Sequence, residues 1–286
     1  MKILVTGVKG QLGYDCVEEL HMRGIEAVGV DREDFDLTDE AAVMAYIKAC
    51  KPDGIMHCAA YTAVDRAETD PTGASLVNGQ GTLNIVRAAL EVGAKLMYIS
   101  TDYVFSGEGD QPFEVNDPYG AKNIYGLTKA QGEQAVRNLM QKYFIIRTSW
   151  VYGLNGANFV RTMLRLGSEK TELKVVGDQI GSPTYTTDLS RLMADMIVTD
   201  RYGIYHGTNE GYCSWAEFAQ EIMKLWHLNC RIVPVTTEEY GSATQRPKNS
   251  RLSKASLDEA RFHRLPAWQD ALMRYMMELR RNGIFH

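Results

Sequence analysis

Hydrophobic and polar positions in the first half of the chain switch repeatedly between two spacings. Ile3-Leu4-Val5 is a short apolar run of the kind a parallel strand buried on both faces requires. Over residues 11–23, Leu12, Cys16, Val17 and Leu20 recur near helical spacing, and Gly24 supplies a stop. Residues 25–30 predict a second strand, which ends at Asp31. Thr38 is placed to cap a helix through Ala41, Ala42, Val43, Tyr46 and Ile47, with Asp39 and Glu40 in the first turn that favours negative charge. Residues 54–58 predict a third strand, residues 74–92 a long helix, and residues 96–99 a strand ending at Ser100-Thr101. A Gly/Asp/Pro-rich loop over 106–120 precedes a helix over 121–141, and residues 143–147 return to the sheet.

This alternation of strand and helix implies an α/β fold with a doubly wound parallel sheet of Rossmann type, covered on both faces. Past Trp150 the alternation weakens. Helical patterns fall at 158–166, 187–197, 215–226 and 268–279, with short strands between them. The expected organisation is a dinucleotide-binding domain over 1–150. A smaller α/β substrate lobe follows over 151–286, with some segments returning to the first domain and no linker between them.

Composition narrows the function. The net charge of −5 argues against a nucleic-acid partner, which needs a basic stripe. No apolar run approaches the roughly 20 residues needed to cross a bilayer, and the opening segment is broken too soon by Thr6 and Gly7 for a signal peptide. Cys16, Cys50, Cys58, Cys213 and Cys230 are odd in number and scattered, which fits free thiols in a reducing cytoplasm. The histidines include no metal-binding pair, so no metal is assigned.

Gly7, Gly10 and Gly13 stand at G-x-x-G-x-x-G spacing between a strand and a helix. Glycine there permits a tight turn and close backbone approach to a pyrophosphate at a helix N-terminus. Glycine-rich turns after strands are common, so the motif gains weight from Asp31, which ends the second strand where a carboxylate can hold ribose hydroxyls. Asp31 favours NADH and Arg32 beside it favours NADPH, so both coenzymes stay open. Tyr125 and Lys129 form Y-x-x-x-K, a spacing that puts both on one helical face. A tyrosine needs help to exchange protons at neutral pH, and a lysine cation can supply it. Thr101 ends a strand and can hold a substrate carbonyl. Gly7, Asp31, Ala59, Ala60, Thr101, Thr148 and Ser149 all fall at the carboxyl ends of predicted strands, where such sheets gather ligands.

These residues resemble the extended short-chain dehydrogenase/reductases, and within them the dTDP-4-dehydrorhamnose reductase family. T-G-V-K-G-Q-L-G at 6–13, S-T-D-Y-V-F-S-G at 100–107, Y-G-L-T-K-A-Q-G-E at 125–133 and R-T-S-W-V-Y-G at 147–153 carry the likeness. It continues through 52–68, 178–189, 246–252 and 265–268, and so covers nearly the whole chain. Ser106 departs from the family, which more often has Asp there. The resemblance implies reduction of the C4 keto group of dTDP-4-dehydro-L-rhamnose to dTDP-L-rhamnose with NADPH or NADH, the dTDP-sugar being the partner. It implies that Tyr125 donates the proton, that Lys129 lowers the Tyr125 pKa and holds the nicotinamide ribose, and that Thr101 polarises the carbonyl. It further implies cofactor contacts at Gly7, Gly10, Gln11, Leu12, Asp31, Arg32, Asp36, Leu37, Ala59, Ala60, Tyr61 and Asn78. Thr62, Val64, Tyr103 and Trp150 would shape the sugar pocket, with Arg246, Lys248 and Asn249 near the diphosphate. Trp150 also fits a core aromatic, and Arg246 a solvated charge.

Other readings remain. A dehydratase of this fold wants a carboxylic pair after the threonine, and this chain has Asp102-Tyr103 instead. An epimerase would share Tyr125 and Lys129. A non-catalytic regulatory subunit, like that of methionine adenosyltransferase, would keep the dinucleotide site. A homodimer is allowed by the sequence but not required by it.

Overall fold

In the computed structural model, which describes residues 1–242 and 244–285, the apolar runs become the strands of one parallel sheet. These strands are β1 (Lys2–Thr6), β2 (Glu26–Val30), β3 (Gly54–His57), β4 (Lys95–Thr101) and β5 (Tyr143–Thr148). Between them run α1 (Gln11–Met22), α2 (Glu40–Cys50), α3 (Val64–Thr69), α4 (Pro71–Ser75), α5 (Thr82–Val92) and α6 (Ile124–Leu139). The second half contributes β6 (Val151–Tyr152), α7 (Phe159–Glu169), β7 (Glu172–Val176), β8 (Ile180–Gly181), β9 (Thr184–Tyr185) and α8 (Thr186–Ile197). After these come β10 (Gly203–His206), β11 (Cys213–Ser214), α9 (Trp215–Trp226), β12 (Arg231–Val235), α10 (Thr237–Tyr240), β13 (Asn249–Ser250), α11 (Ala255–Glu259) and α12 (Trp268–Arg281).

The large sheet runs β10-β5-β4-β3-β1-β2, every pair parallel. Strand order reverses between β1 and β3, and a crevice opens at the carboxyl ends there. Alternate strand residues feed two apolar layers. Ile3, Val5, Met56 and Phe144 pack with Leu12, Leu20 and Met193 on one face, and Leu4, Ile55, Leu96 and Ile145 pack with Val43, Ile85 and Val136 on the other. Of the later elements, β10 extends this sheet and α8 packs on α1. Most of the rest build another core around Tyr152, Phe218, Ile222, Trp268 and Tyr275. No helix of the described residues is long and apolar enough to cross a membrane.

Three expected elements change. The helix expected over 74–92 is α4, a wider π-helical turn (Leu76–Gly81) and α5. Gly79 and Gly81 weaken a regular helix there, and Asn78 is drawn away to bond Tyr61. Asp39, not Thr38, caps α2 by accepting from the Ala42 amide at 3.0 Å, while the Thr38 hydroxyl donates to Asp36. The helix expected from 121 starts at Ile124, because the Asn123 side chain accepts from the Gly126 amide at 2.8 Å and fixes the start.

One polar contact crosses the packed interior. Arg147 of β5 donates twice to Glu133 of α6, at 2.9 and 2.7 Å, with both side chains almost wholly buried. Arg147 also donates to the Val115 carbonyl, and Tyr119 donates to Glu133. Removing one partner strands a buried charge, so Arg147→Met is expected to cost about 3–5 kcal/mol, read as a drop in the urea midpoint. A midpoint within error of the unsubstituted protein would contradict this account.

Candidate active site

The glycine loop is shaped by exclusion. Gly7 has φ +75°, and a Cβ there would lie 2.8 Å from the backbone of Ala59. A Cβ on Gly13 would lie 2.3 Å from the Gly7 carbonyl oxygen, so α1 approaches β1 as closely as glycine permits. Gly10 caps α1 with no side-chain partner, which leaves first-turn amides of a helix N-terminus at the wall of a cavity of about 860 Å³. A dinucleotide pyrophosphate fits such a cradle. Along the same wall lie Gln11, Leu12, Asp31, Arg32, Leu37, Ala59 and Ala60. The Asp31 carboxylate accepts from the Lys9 and Arg32 amides, both at 2.9 Å, and so ties the end of β2 to the glycine loop. Gln11 accepts from the Gly153 amide at 2.8 Å and from Asn158 at 3.0 Å, linking the loop to the second half of the chain.

Farther along the cavity, Thr62, Val64, Thr101, Tyr103, Tyr125, Lys129 and Trp150 come together. Thr101 donates to Asp102 at 3.0 Å and accepts from the Tyr103 amide at 3.2 Å. Burial first, and then the Asp102 carboxylate, push the Tyr125 phenol well above its usual range, while its hydrogen bond with Thr101 pulls the other way. Burial lowers Lys129 to about 7 against the pull of Glu133, and its ammonium lies 4.1 Å from the Tyr98 ring centroid. Lys129 is not among the groups that weigh most on Tyr125 in this structure. Desolvation governs both groups, and Asp102 is the charge that weighs on Tyr125. A phenol that keeps its proton is in the donating form.

Trp150 adopts φ +51°, a left-handed backbone that costs a non-glycine residue roughly 1–2 kcal/mol. Trp215 stacks on it at 3.7 Å, and Gly181 leaves it room, since a Cβ there would come within 2.9 Å of the indole. Trp150 thus joins the cavity wall while also packing against the second core.

Other expected residues are placed elsewhere. Arg246 and Lys248 line a neighbouring cavity of about 420 Å³ that shares Tyr103 with the first. Arg246 pairs with Asp65 at 2.8 Å, and Lys248 with Glu238 at 2.8 Å. Asn249, Asn78, Tyr61 and Asp36 are absent from both walls. Asn249 is buried and donates to the Gln111 carbonyl, and Asp36 holds the Thr38 turn. Asn78 grips both backbone groups of Tyr61 and donates to Thr128, so it shapes the 59–62 loop from behind. Sequence reasoning missed Asp102, Gly156 and Trp215 in the wall. Asp102 adjoins the threonine and was open to notice, but the other two arrive only through tertiary folding.

The family model described as the RmlD substrate binding domain matches residues 1–281. The spore coat polysaccharide biosynthesis protein SpsK of Bacillus subtilis (strain 168) is 43% identical over 277 residues, 97% of each chain. A crystal structure of a dTDP-4-dehydrorhamnose reductase from Clostridium acetobutylicum superposes with a TM-score of 0.96 at 41% identity, covering 98% of this chain and 100% of that one. The dTDP-4-dehydrorhamnose reductase of Bacillus anthracis, solved in complex with NADP, gives 0.95 at 43% identity over 97% and 99%.

A carboxylate at the ribose end repels a 2′-phosphate. Asp31→Ala is expected to raise the preference for NADPH over NADH on the order of tenfold, about 1.4 kcal/mol, read as the ratio of the two dissociation constants. An unchanged ratio would remove Asp31 from coenzyme selection.

Proposed function

The chain belongs to the RmlD substrate-binding family, and from that membership we propose that it reduces the C4 keto group of dTDP-4-dehydro-L-rhamnose to dTDP-L-rhamnose. NADPH or NADH is the reductant. The observation that carries this reading is one cavity with a glycine-lined helix N-terminus at one end and Thr101, Tyr125 and Lys129 at the other.

A bound reduced nicotinamide supplies the hydride that adds to C4. The residues do the rest. The buried Tyr125 hydroxyl gives its proton to the C4 oxygen as negative charge develops there. Lys129, one helical turn on, holds the nicotinamide ribose with its ammonium. Thr101 lies on the same cavity wall, and its hydroxyl polarises the carbonyl once it turns from Asp102. Thr62, Val64, Tyr103 and Trp150 enclose the sugar. Arg246 and Lys248 meet the diphosphate in the neighbouring cavity, where phosphate competes with Asp65 and Glu238 for their charges. The reaction belongs in the cytoplasm, where the five unpaired cysteines stay reduced.

Loss of nicotinamide absorbance with freshly made dTDP-4-dehydro-L-rhamnose tests the activity, with NADH and NADPH run side by side. Rapid oxidation is expected. Failure to oxidise either coenzyme, with coenzyme binding confirmed separately, would contradict the assignment. Tyr125→Phe is expected to lower turnover roughly 10²-fold or more, the scale of lost general acid catalysis, and to leave coenzyme affinity unchanged. Turnover near that of the unsubstituted protein would remove Tyr125 from the chemistry.

A further inference from the structure

A row of polar side chains closes one apolar layer of the large sheet at its carboxyl end. Leu4, Ile55 and Leu96 belong to that layer. Two residues farther along each strand come Thr6, His57 and Tyr98, in register across β1, β3 and β4. Residues two apart on a strand share a face, so the three stand side by side, and all are buried. His57 bonds on both sides. Its Nδ1 lies 2.8 Å from the Thr6 hydroxyl, and its Nε2 lies 3.3 Å from the Thr82 hydroxyl at the start of α5.

The Thr6 oxygen also accepts from the Ala59 amide, at 3.1 Å. A hydroxyl has one proton to give, and among the described residues His57 is the only acceptor that the Thr6 hydroxyl bonds. Nδ1 therefore accepts from Thr6, and the ring proton of a neutral His57 sits on Nε2, facing Thr82. Burial and then the Lys129 ammonium hold the imidazole down to about 3, so the ring is neutral. That ammonium rests on the Tyr98 ring, the next in the row, whose centroid is 5.8 Å from that of His57.

We propose that His57 is a positioning residue for the coenzyme site, which in its Nε2–H tautomer fixes the Ala59 backbone against Gly7 by way of Thr6. This rests on the coenzyme cradle of the reductase reading and adds a residue behind its wall. Thr6, Gly7, Ala59 and Ala60 line the cavity, and His57 does not. Gly7 and Ala59 approach so closely that a Cβ on Gly7 would lie 2.8 Å from the Ala59 backbone. The 59–62 loop is thus tied at two amides, that of Ala59 by Thr6 and that of Tyr61 by Asn78. A cationic ring at position 57 would meet Lys129 across Tyr98. An apolar one would leave the Thr6 proton without a partner in a dry interior.

The tautomer is read from long-range proton–nitrogen NMR spectra of the histidine rings, with His57 identified by its absence from His57→Asn. A protonated Nε2 and a bare Nδ1 are expected, and a protonated Nδ1 would overturn the proposal. NADPH dissociation constants then test the positioning. His57→Leu is expected to weaken NADPH about tenfold, the scale of one buried polar group left unpaired, with kcat at saturating coenzyme unchanged. His57→Asn, whose side-chain oxygen can stand where Nδ1 does, is expected to recover most of that affinity. Thr6→Val removes the same link with little change of shape. It is expected to match His57→Leu, and it decides the matter should His57→Leu fail to fold. Unchanged NADPH affinity in either folded variant would overturn the proposal and leave the reductase reading standing. Weakened NADPH in variants of a protein inactive on the sugar would retain the brace and sink the reductase reading.

Discussion

The pairing of Arg147 with Glu133 fixes the catalytic helix on the sheet, and the geometry of the site follows from it. Tyr125, Lys129 and Glu133 stand at successive four-residue steps of α6, on one face. Arg147 lies on β5, beside the strand that carries Thr101. The ion pair therefore sets the height and rotation of α6 against the strand end that must meet Tyr125. A buried pair of this kind adds little net stability compared with apolar packing, but it tolerates little displacement once formed. Glu133 also supplies the charge that favours the protonated form of Lys129 against burial. One contact thus serves both the placement of the phenol and the charge of its neighbour.

The second constraint is that the cavity is closed by residues far apart in sequence. Gln11 of the glycine loop holds Gly153 and Asn158, Asn155 donates to the Lys9 carbonyl, and Ser250 holds Asp102. Each tie is polar and short, and each joins a strand end of the large sheet to a later segment. The strained Trp150, stacked on Trp215, is part of the same closure. Backbone strain persists only where its surroundings overdetermine it, and here the stack, the space left by Gly181 and the hydrogen bond from the Thr184 amide to the Trp150 carbonyl provide that.

Much of this was legible in the chain. The apolar runs gave the parallel strands, because burial on both faces leaves a continuous hydrophobic signature, and the Trp215–Trp226 helix matches the expected span at both ends. Gly7, Asp31, Ala59, Thr101 and Thr148 meet in one cavity because residues at parallel strand ends share an edge whatever the loops do. What the sequence did not reveal depends on side-chain competition. Gln11, Asn78 and Asn249 carry the polar groups of a binding site, yet Gln11 gives its oxygen to Gly153 and Asn158, Asn78 holds Tyr61 and Thr128, and Asn249 donates to the Gln111 carbonyl. Nothing in their spacing announces that. The charge relation at Tyr125 was read through Lys129, its neighbour on the helix, while Asp102 arrives from another element. The break in the helix before α5 was hidden because its apolar spacing continues through the wider turn.

The central claim is that the glycine-lined cradle and the Thr101–Tyr125–Lys129 group serve one reduction at a sugar carbonyl. Following deuterium from NADPH deuterated at both C4 positions into the sugar, with the product read by NMR, tests it most directly. The account predicts deuterium at C4 of dTDP-L-rhamnose and its loss in Tyr125→Phe. A product labelled at any other carbon, or an unlabelled sugar beside oxidised coenzyme, would contradict it.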